Sequence, residues 1–209
     1  MNPDKTGETG GKTVEKPNIA FALPAWARCI EDYAPGDARE AAERETMLEM
    51  IGRYGDLLLV RENTIAHMTA SSMIVNRERT KVLMAYHKIY QSWAWTGGHN
   101  DGETDFEAVA MREAREETGV RTLRRLGSGA ASVEILPVWA HIKRGAWVGS
   151  HLHLNVSYLF EADEAEPLTI AQDENSAVGW LPIAQLEAQV SEAYMLPIYD
   201  RLIKRANNC

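Results

Sequence analysis

Three glutamates, Glu113, Glu116 and Glu117, stand in the run "MREAREETG", which otherwise reads as helix. On a helix they are related as i, i+3 and i+4, so their carboxylates point to one side. Like charges at that spacing repel and weaken an isolated helix by a few tenths of a kcal/mol per pair. A solvated surface tolerates this, and an ordinary acidic surface helix is the bland reading. A hard cation in the cluster reverses the balance, because Mg²⁺ takes oxygen ligands, typically carboxylates together with substrate phosphates. Just upstream, Gly97 and Gly98 let the backbone approach such a site and offer a carbonyl as a further oxygen donor. The residue types and their spacing point to a carboxylate pocket for a divalent metal.

The elements that must position this pocket are legible in outline. Asp105, or Thr104 before it, caps a helix running to Thr118, and Gly119 ends it as a C′ glycine. Before it, Ala66–Asn76 and Thr80–His87 are β-rich runs joined by the polar turn "RER", a hairpin signal. "SWAWTG" reads as a third short strand with Trp93 and Trp95 on one face. After it, "TLRRLG", "SVEILPVWAHI", His151–Ala162 and "VGWLP" read as further strands. Helices around Ile183–Val190 and Ala193–Ala206 close the chain. Strands, a helix, more strands and then helices make a mixed α/β or α+β layered domain. Ahead of it, Asp37 caps a helix to Tyr54 whose stripe of Met47, Leu48, Met50 and Ile51 has helical spacing. The Gly-, Thr-, Lys- and Glu-rich residues before Asn18 lack periodicity and read as a disordered tail. The expected division is therefore a tail over 1–18, a helical extension over 19–63 and the main domain over 64–209.

The full pattern decides between pocket and surface helix. Gly98 followed by Arg112-Glu113-Ala114-Arg115-Glu116-Glu117-Thr118-Gly119-Val120 resembles the Nudix box, G-x5-E-x7-R-E-U-x-E-E-x-G-U with U aliphatic. From average composition those positions would recur by chance in a chain this long on the order of once in a million. One position departs: Thr104 stands where the box has a glutamate, and Glu103 precedes it. Arg112 pairing with Glu103 is the expectation, so the substitution bears on loop geometry more than on metal binding. The resemblance, to the Nudix (MutT-like) hydrolases, implies an α/β/α sandwich with a mixed sheet. It also implies Mg²⁺- or Mn²⁺-dependent hydrolysis, by water, of a nucleoside diphosphate linked to another moiety, of the ADP-ribose or nucleotide-sugar type. By the same resemblance Glu116, Glu117, Glu113 and the Gly98 carbonyl hold metal, with Glu113 a ligand or base. Gly97, Glu103, Arg112 and Gly119 support the box.

Beyond the box, "QDENSAVGWLP" precedes a Trp-containing strand, where many Nudix proteins carry an acidic residue that reaches the metals. Glu174 is the candidate catalytic base, Asp173 the substitute, and a plain polar loop the alternative. Trp180 reads as core. "HIKRGAWVGSHLHLN" carries Lys143 and Arg144, either a grip on a distal phosphate or ribose or a solvated turn. His99, next to the glycines, either lines the site for substrate or shapes the loop. His87, Tyr90 and Trp93 are candidates for a base-stacking wall. His151 and His153 share a strand face. Paired histidines bind transition metals, but no third ligand follows at a recognisable spacing.

The 209 residues suffice for one ordinary domain plus an extension, and 45% hydrophobic with 25% charged residues is globular composition. A net charge of -8 argues against nucleic acid or an anionic membrane surface as partner. An acidic chain still binds a small diphosphate substrate when the cations come with it. No apolar run approaches the roughly 20 residues of a membrane span. Cys29 and Cys209 lack metal or redox spacing, which reads as a reduced, cytoplasmic protein, a terminal disulfide being the alternative. A homodimer is compatible with the helical extension. Two other functions compete: a non-catalytic Nudix sensor or regulator, which tends to lose box glutamates, and an isopentenyl-diphosphate isomerase, which needs a cysteine across the pocket from a carboxylate.

Overall fold

The computed structural model describes residues 22–143, 145–171, 173 and 175–209. The tail expected over residues 1–18 lies outside them, as do Arg144 and Glu174.

Among the described residues there are ten strands, eight of them in one sheet built around a long central pair. β1 (Ala66–Val75) runs parallel to β9 (His151–Glu161) in unbroken register from Ala66↔Leu152 to Val75↔Glu161. Along the other edge of β1 two antiparallel strands sit end to end. β4 (Thr96–His99) pairs with Thr69 to Ser72, and β2 (Lys81–His87) pairs with Ile74 and Val75. The far edge of β9 is shared likewise by β6 (Ser132–Val138) and β5 (Arg124–Leu126). β3 (Ser92–Ala94) and β10 (Asn175–Pro182) flank β2. β7 (His141–Lys143) and β8 (Ala146–Val148) form a separate hairpin. The run "SWAWTG" is thus two strands rather than one, because the chain crosses from β2 to β1 at Trp95. "SVEILPVWAHI" likewise breaks after Val138.

Every residue of β1 is buried, so the strand serves two layers. Ala66, Met68, Ala70 and Ile74 face a cluster that includes Val109 and Ala110 of α3 (Phe106–Thr118). Ile30 of α1 (Arg28–Glu31), Met47 and Ile51 of α2 (Ala38–Tyr54) and Leu58 belong to the same cluster. Met73 and Val75 face the opposite cluster, built on Ile198, Tyr199 and Leu202 of α5 (Leu196–Ala206) and on Leu186 of the short α4 (Leu186–Gln189). The result is helices on both faces of a mixed sheet. The stripe read on α2 packs into the sheet's own core, and Asp37 caps α2 by accepting from the Glu40 amide at 2.8 Å. Among the described residues no helix is long and apolar enough to cross a membrane.

A buried ionic cluster ties α2 to α5. Glu40, fully buried, accepts from Arg205 Nη1 at 2.8 Å and Nη2 at 2.7 Å and from the Gly36 amide at 2.7 Å. Arg201 Nε stands 2.7 Å from the same carboxylate. Burial alone would push this acid up, but the two guanidiniums and the amide override it and hold Glu40 at about 2.

Candidate active site

The two faces of β1 change character along its length. Met73 and Val75 lie under α5, whereas His67, Thr69 and Ser71, on the same side by the two-residue repeat, line a cavity of about 530 Å³. That volume suits a small-molecule ligand. Its floor is polar and ordered: Thr69 and Ser71 hydroxyls donate to Asn155 Oδ1 at 3.0 and 2.8 Å, and the Asn155 amide donates to buried Glu134 at 3.1 Å.

α3 delivers carboxylates to this cavity. Asp105 caps it by accepting from the Ala108 amide at 3.0 Å. Gly119, at φ 76, ends it in the left-handed conformation that favours glycine. Glu113 and Glu117 line the cavity together with Gly97 and Gly98. Glu117 is held by two donors, the Gly97 amide at 2.8 Å on one oxygen and the Asn175 amide at 2.7 Å on the other. Glu113 accepts from Arg112 Nη2 at 2.9 Å, and Arg112 also binds Glu103 through Nη1. Glu116 is placed differently. Its side chain is 62% exposed, its nearest cation is Arg112 Nε at 3.8 Å, and it is not among the residues lining the cavity.

The donor set fits a hard divalent ion. Gly98 is packed so tightly on Glu113 that a Cβ there would lie 2.4 Å from Glu113 Cδ and 2.6 Å from its Oε2. The glycine therefore leaves the space that a carboxylate and its ligand need. Oxygen donors of this kind suit Mg²⁺ or Mn²⁺, with Glu113, Glu117 and the Gly98 carbonyl as the candidate holders.

Of the other sequence candidates, His99 and Lys143 line the cavity. Asp173 is exposed, and its neighbour Asn175 is the residue that reaches Glu117. His87 and Tyr90 stack at 4.5 Å and line the cavity, whereas Trp93 packs edge-on against Tyr86 and Trp180 packs against the core. Trp147, 73% exposed, projects from β8 at the cavity mouth. Neither thiol is in the lining. Cys29 and Cys209 are both free, and burial pushes Cys29 up to about 11, which leaves it a poor nucleophile.

The sequence analysis named His99, His151 and His153 but not the residue that joins them. His67 on β1 stands beside His99, His151 and His153, with ring centroids 4.9, 4.8 and 5.0 Å away. Burial lowers His67 and His153 and, with Arg61 nearby, brings His99 to about 3. These rings are neutral at pH 7. Arg61 itself binds Asp101, Nε to Oδ1 at 2.8 Å.

A family model described as NUDIX domain matches residues 66–202. The solved Nudix hydrolase RenU from M. smegmatis is 15% identical, with 68% of this chain and 86% of that one covered and a TM-score of 0.50. An Ap4A hydrolase from C. elegans, solved as a binary complex, is 13% identical over 68% of this chain and 98% of that one, TM-score 0.49. The E. coli dihydroneopterin triphosphate pyrophosphohydrolase is 14% identical over 68% and 96%, TM-score 0.49. At these identities the likeness is one of fold. Among curated proteins none matches the chain in sequence.

Proposed function

The chain belongs to the NUDIX domain family, and from that premise we propose that it is a pyrophosphohydrolase. Its substrate is a nucleoside diphosphate linked to another moiety, of the ADP-ribose or nucleotide-sugar type, and its cofactor is Mg²⁺ or Mn²⁺. The observation that carries the reading is Glu117. A carboxylate held by a backbone amide and a side-chain amide, in a cavity of small-molecule size, is oriented before any ligand arrives.

When bound, the divalent ion would supply charge neutralisation on the diphosphate oxygens and would make water more acidic. This chain's residues do the rest. Glu117 and the Gly98 carbonyl would hold the ion. Glu113, oriented by Arg112, takes the proton of the attacking water and is the general base we assign. Arg112 is oriented in turn by Glu103, so the loop glutamate acts one position before the usual box place. Lys143 faces the negative charge of the substrate, while Trp95, Leu136 and Tyr194 offer apolar surface for the moiety beyond the phosphates.

The test is phosphomonoester release, revealed by added phosphatase, from a panel with Mg²⁺ or Mn²⁺. ADP-ribose, nucleotide sugars, dinucleoside polyphosphates, NADH, coenzyme A and nucleoside triphosphates fill it. Turnover of one class by the wild type and its loss in Glu117→Gln is the expected result. Equal turnover by Glu117→Gln refutes the assignment, and tight binding of an intact compound without turnover makes the protein a sensor.

A further inference from the structure

The hydrolysis proposed above uses none of the four histidines His67, His99, His151 and His153 that line the same cavity. Their convergence follows from strand register. His153 stands directly opposite His67 across the parallel β1–β9 pair, and His99 stands opposite Thr69, two residues along the same face. The ligand nitrogens of His67, His99 and His153 all lie within 4.8 Å of one another. His151 Nε2 adds a fourth nitrogen, 3.3 Å from His153 Nε2.

The hydrogen bonds outside the cluster fix which atoms point in. His67 Nδ1 is 3.0 Å from the Asn63 carbonyl oxygen, and His151 Nδ1 is 2.9 Å from that of Gly149. A carbonyl oxygen only accepts, so each of these rings carries its proton on Nδ1 and turns an Nε2 lone pair inward. His67 is 97% buried, and its Nε2 has no hydrogen-bond partner among the described residues. The His151 lone pair accepts a hydrogen bond from His153 Nε2 at 3.3 Å when His153 carries its proton there, whereas the His67 lone pair faces the cluster with nothing to satisfy it; a cation among the rings would satisfy all of them at once. Backbone carbonyls behind imidazoles are also what orients histidines at metal centres. The 3.3 Å between the Nε2 atoms of His151 and His153 matches the edge of a tetrahedron with metal–nitrogen bonds of about 2.0–2.1 Å.

We propose that His67, His99 and His153 bind a transition-metal ion, Zn²⁺ by ligand chemistry, with His151 at the fourth corner. The pocket then holds two chemically distinct cation sites: oxygen donors of the Nudix box for a hard ion, imidazoles for a borderline one. The proposal stands whether or not the hydrolase reading does.

Co²⁺ is the probe, because four-coordinate and six-coordinate Co²⁺ differ sharply in visible absorption. The full chain, stripped with chelator and kept in excess Mg²⁺ to occupy the carboxylates, is titrated with Co²⁺ alone. An intense four-coordinate band that saturates at one equivalent, is displaced by Zn²⁺ and persists in Glu117→Gln is the expected result. His153→Asn and His99→Asn should each weaken Co²⁺ binding by at least about a hundredfold while keeping the wild-type circular dichroism. A wild type with only the pale six-coordinate spectrum overturns the proposal without any variant. So does a band that vanishes in Glu117→Gln and survives in both histidine variants. Because Glu117→Gln abolishes turnover but not the band, failure of one reading is distinguishable from failure of the other.

Discussion

Replacing Glu40 by Gln removes a charge that two arginines of another helix surround, and its effect can be worked out in advance. The acid falls from its ordinary 4.5 to about 2 in the folded chain. Each tenfold change in a protonation equilibrium is worth about 1.4 kcal/mol, so the ionised form contributes roughly 3 kcal/mol. Loss of one partner from a buried ion pair costs about 3–5 kcal/mol, which agrees. The sign follows from the direction. A folded-state value below the unfolded one stabilises the fold above pH 4.5, and that stability disappears as pH falls towards 2. Urea unfolding of wild type and Glu40→Gln at a series of pH values reads it directly. The gap should be roughly 3 kcal/mol at pH 7 and should shrink steadily below pH 4.5. A gap that is the same at pH 7 and pH 3 would mean the effect is packing and not charge, and the reasoning would fail.

Ile51→Ala should cost about 2–5 kcal/mol, because its side chain is wholly buried in the cluster shared with β1; a cost under 1 kcal/mol by the same urea assay would show that α2 is merely appended. Gly98→Ala drives a methyl into the Glu113 carboxylate and should lower kcat by about a hundredfold with little loss of Tm, whereas Gly97→Ala meets the Ala70 carbonyl at 2.7 Å and should lower Tm itself. Asn175→Ala deprives Glu117 of a charge-assisted hydrogen bond and should reduce kcat about 10- to 100-fold, an effect absent if Asn175 serves only the strand.

What the sequence disclosed was the part of the site written in consecutive residues. α3 carries its own start, its own stop and its carboxylates within Asp105 to Gly119, so local rules suffice. The hairpin of β1 and β2 and the strand over His151–Glu161 were legible for the same reason. The parallel pairing of β1 with β9 was not, because β1 is buried on both sides and shows no alternation to fix its neighbours. Everything that depends on that register stayed hidden with it: His67 beside His153, and Asn155 beneath Thr69 and Ser71. Asn175 escaped for a different reason. A catalytic base at that place is expected to be a carboxylate, and the residue that reaches Glu117 is the neutral amide following Glu174 in the chain.

The central pairing also sets an order of events at the ribosome. Thr69 and Asn155, which hydrogen bond across it, are 86 residues apart. At about 5–20 residues per second, β1 waits several seconds for the strand that covers it. During that interval it has only the short antiparallel partners on one edge, and the other edge, apolar and unpaired, is a template for another nascent chain. The proposed histidine set is still incomplete then, and Glu117 still lacks the amide that orients it, since His153 and Asn175 arrive later. A chain truncated before β9 would therefore be sticky without a finished site.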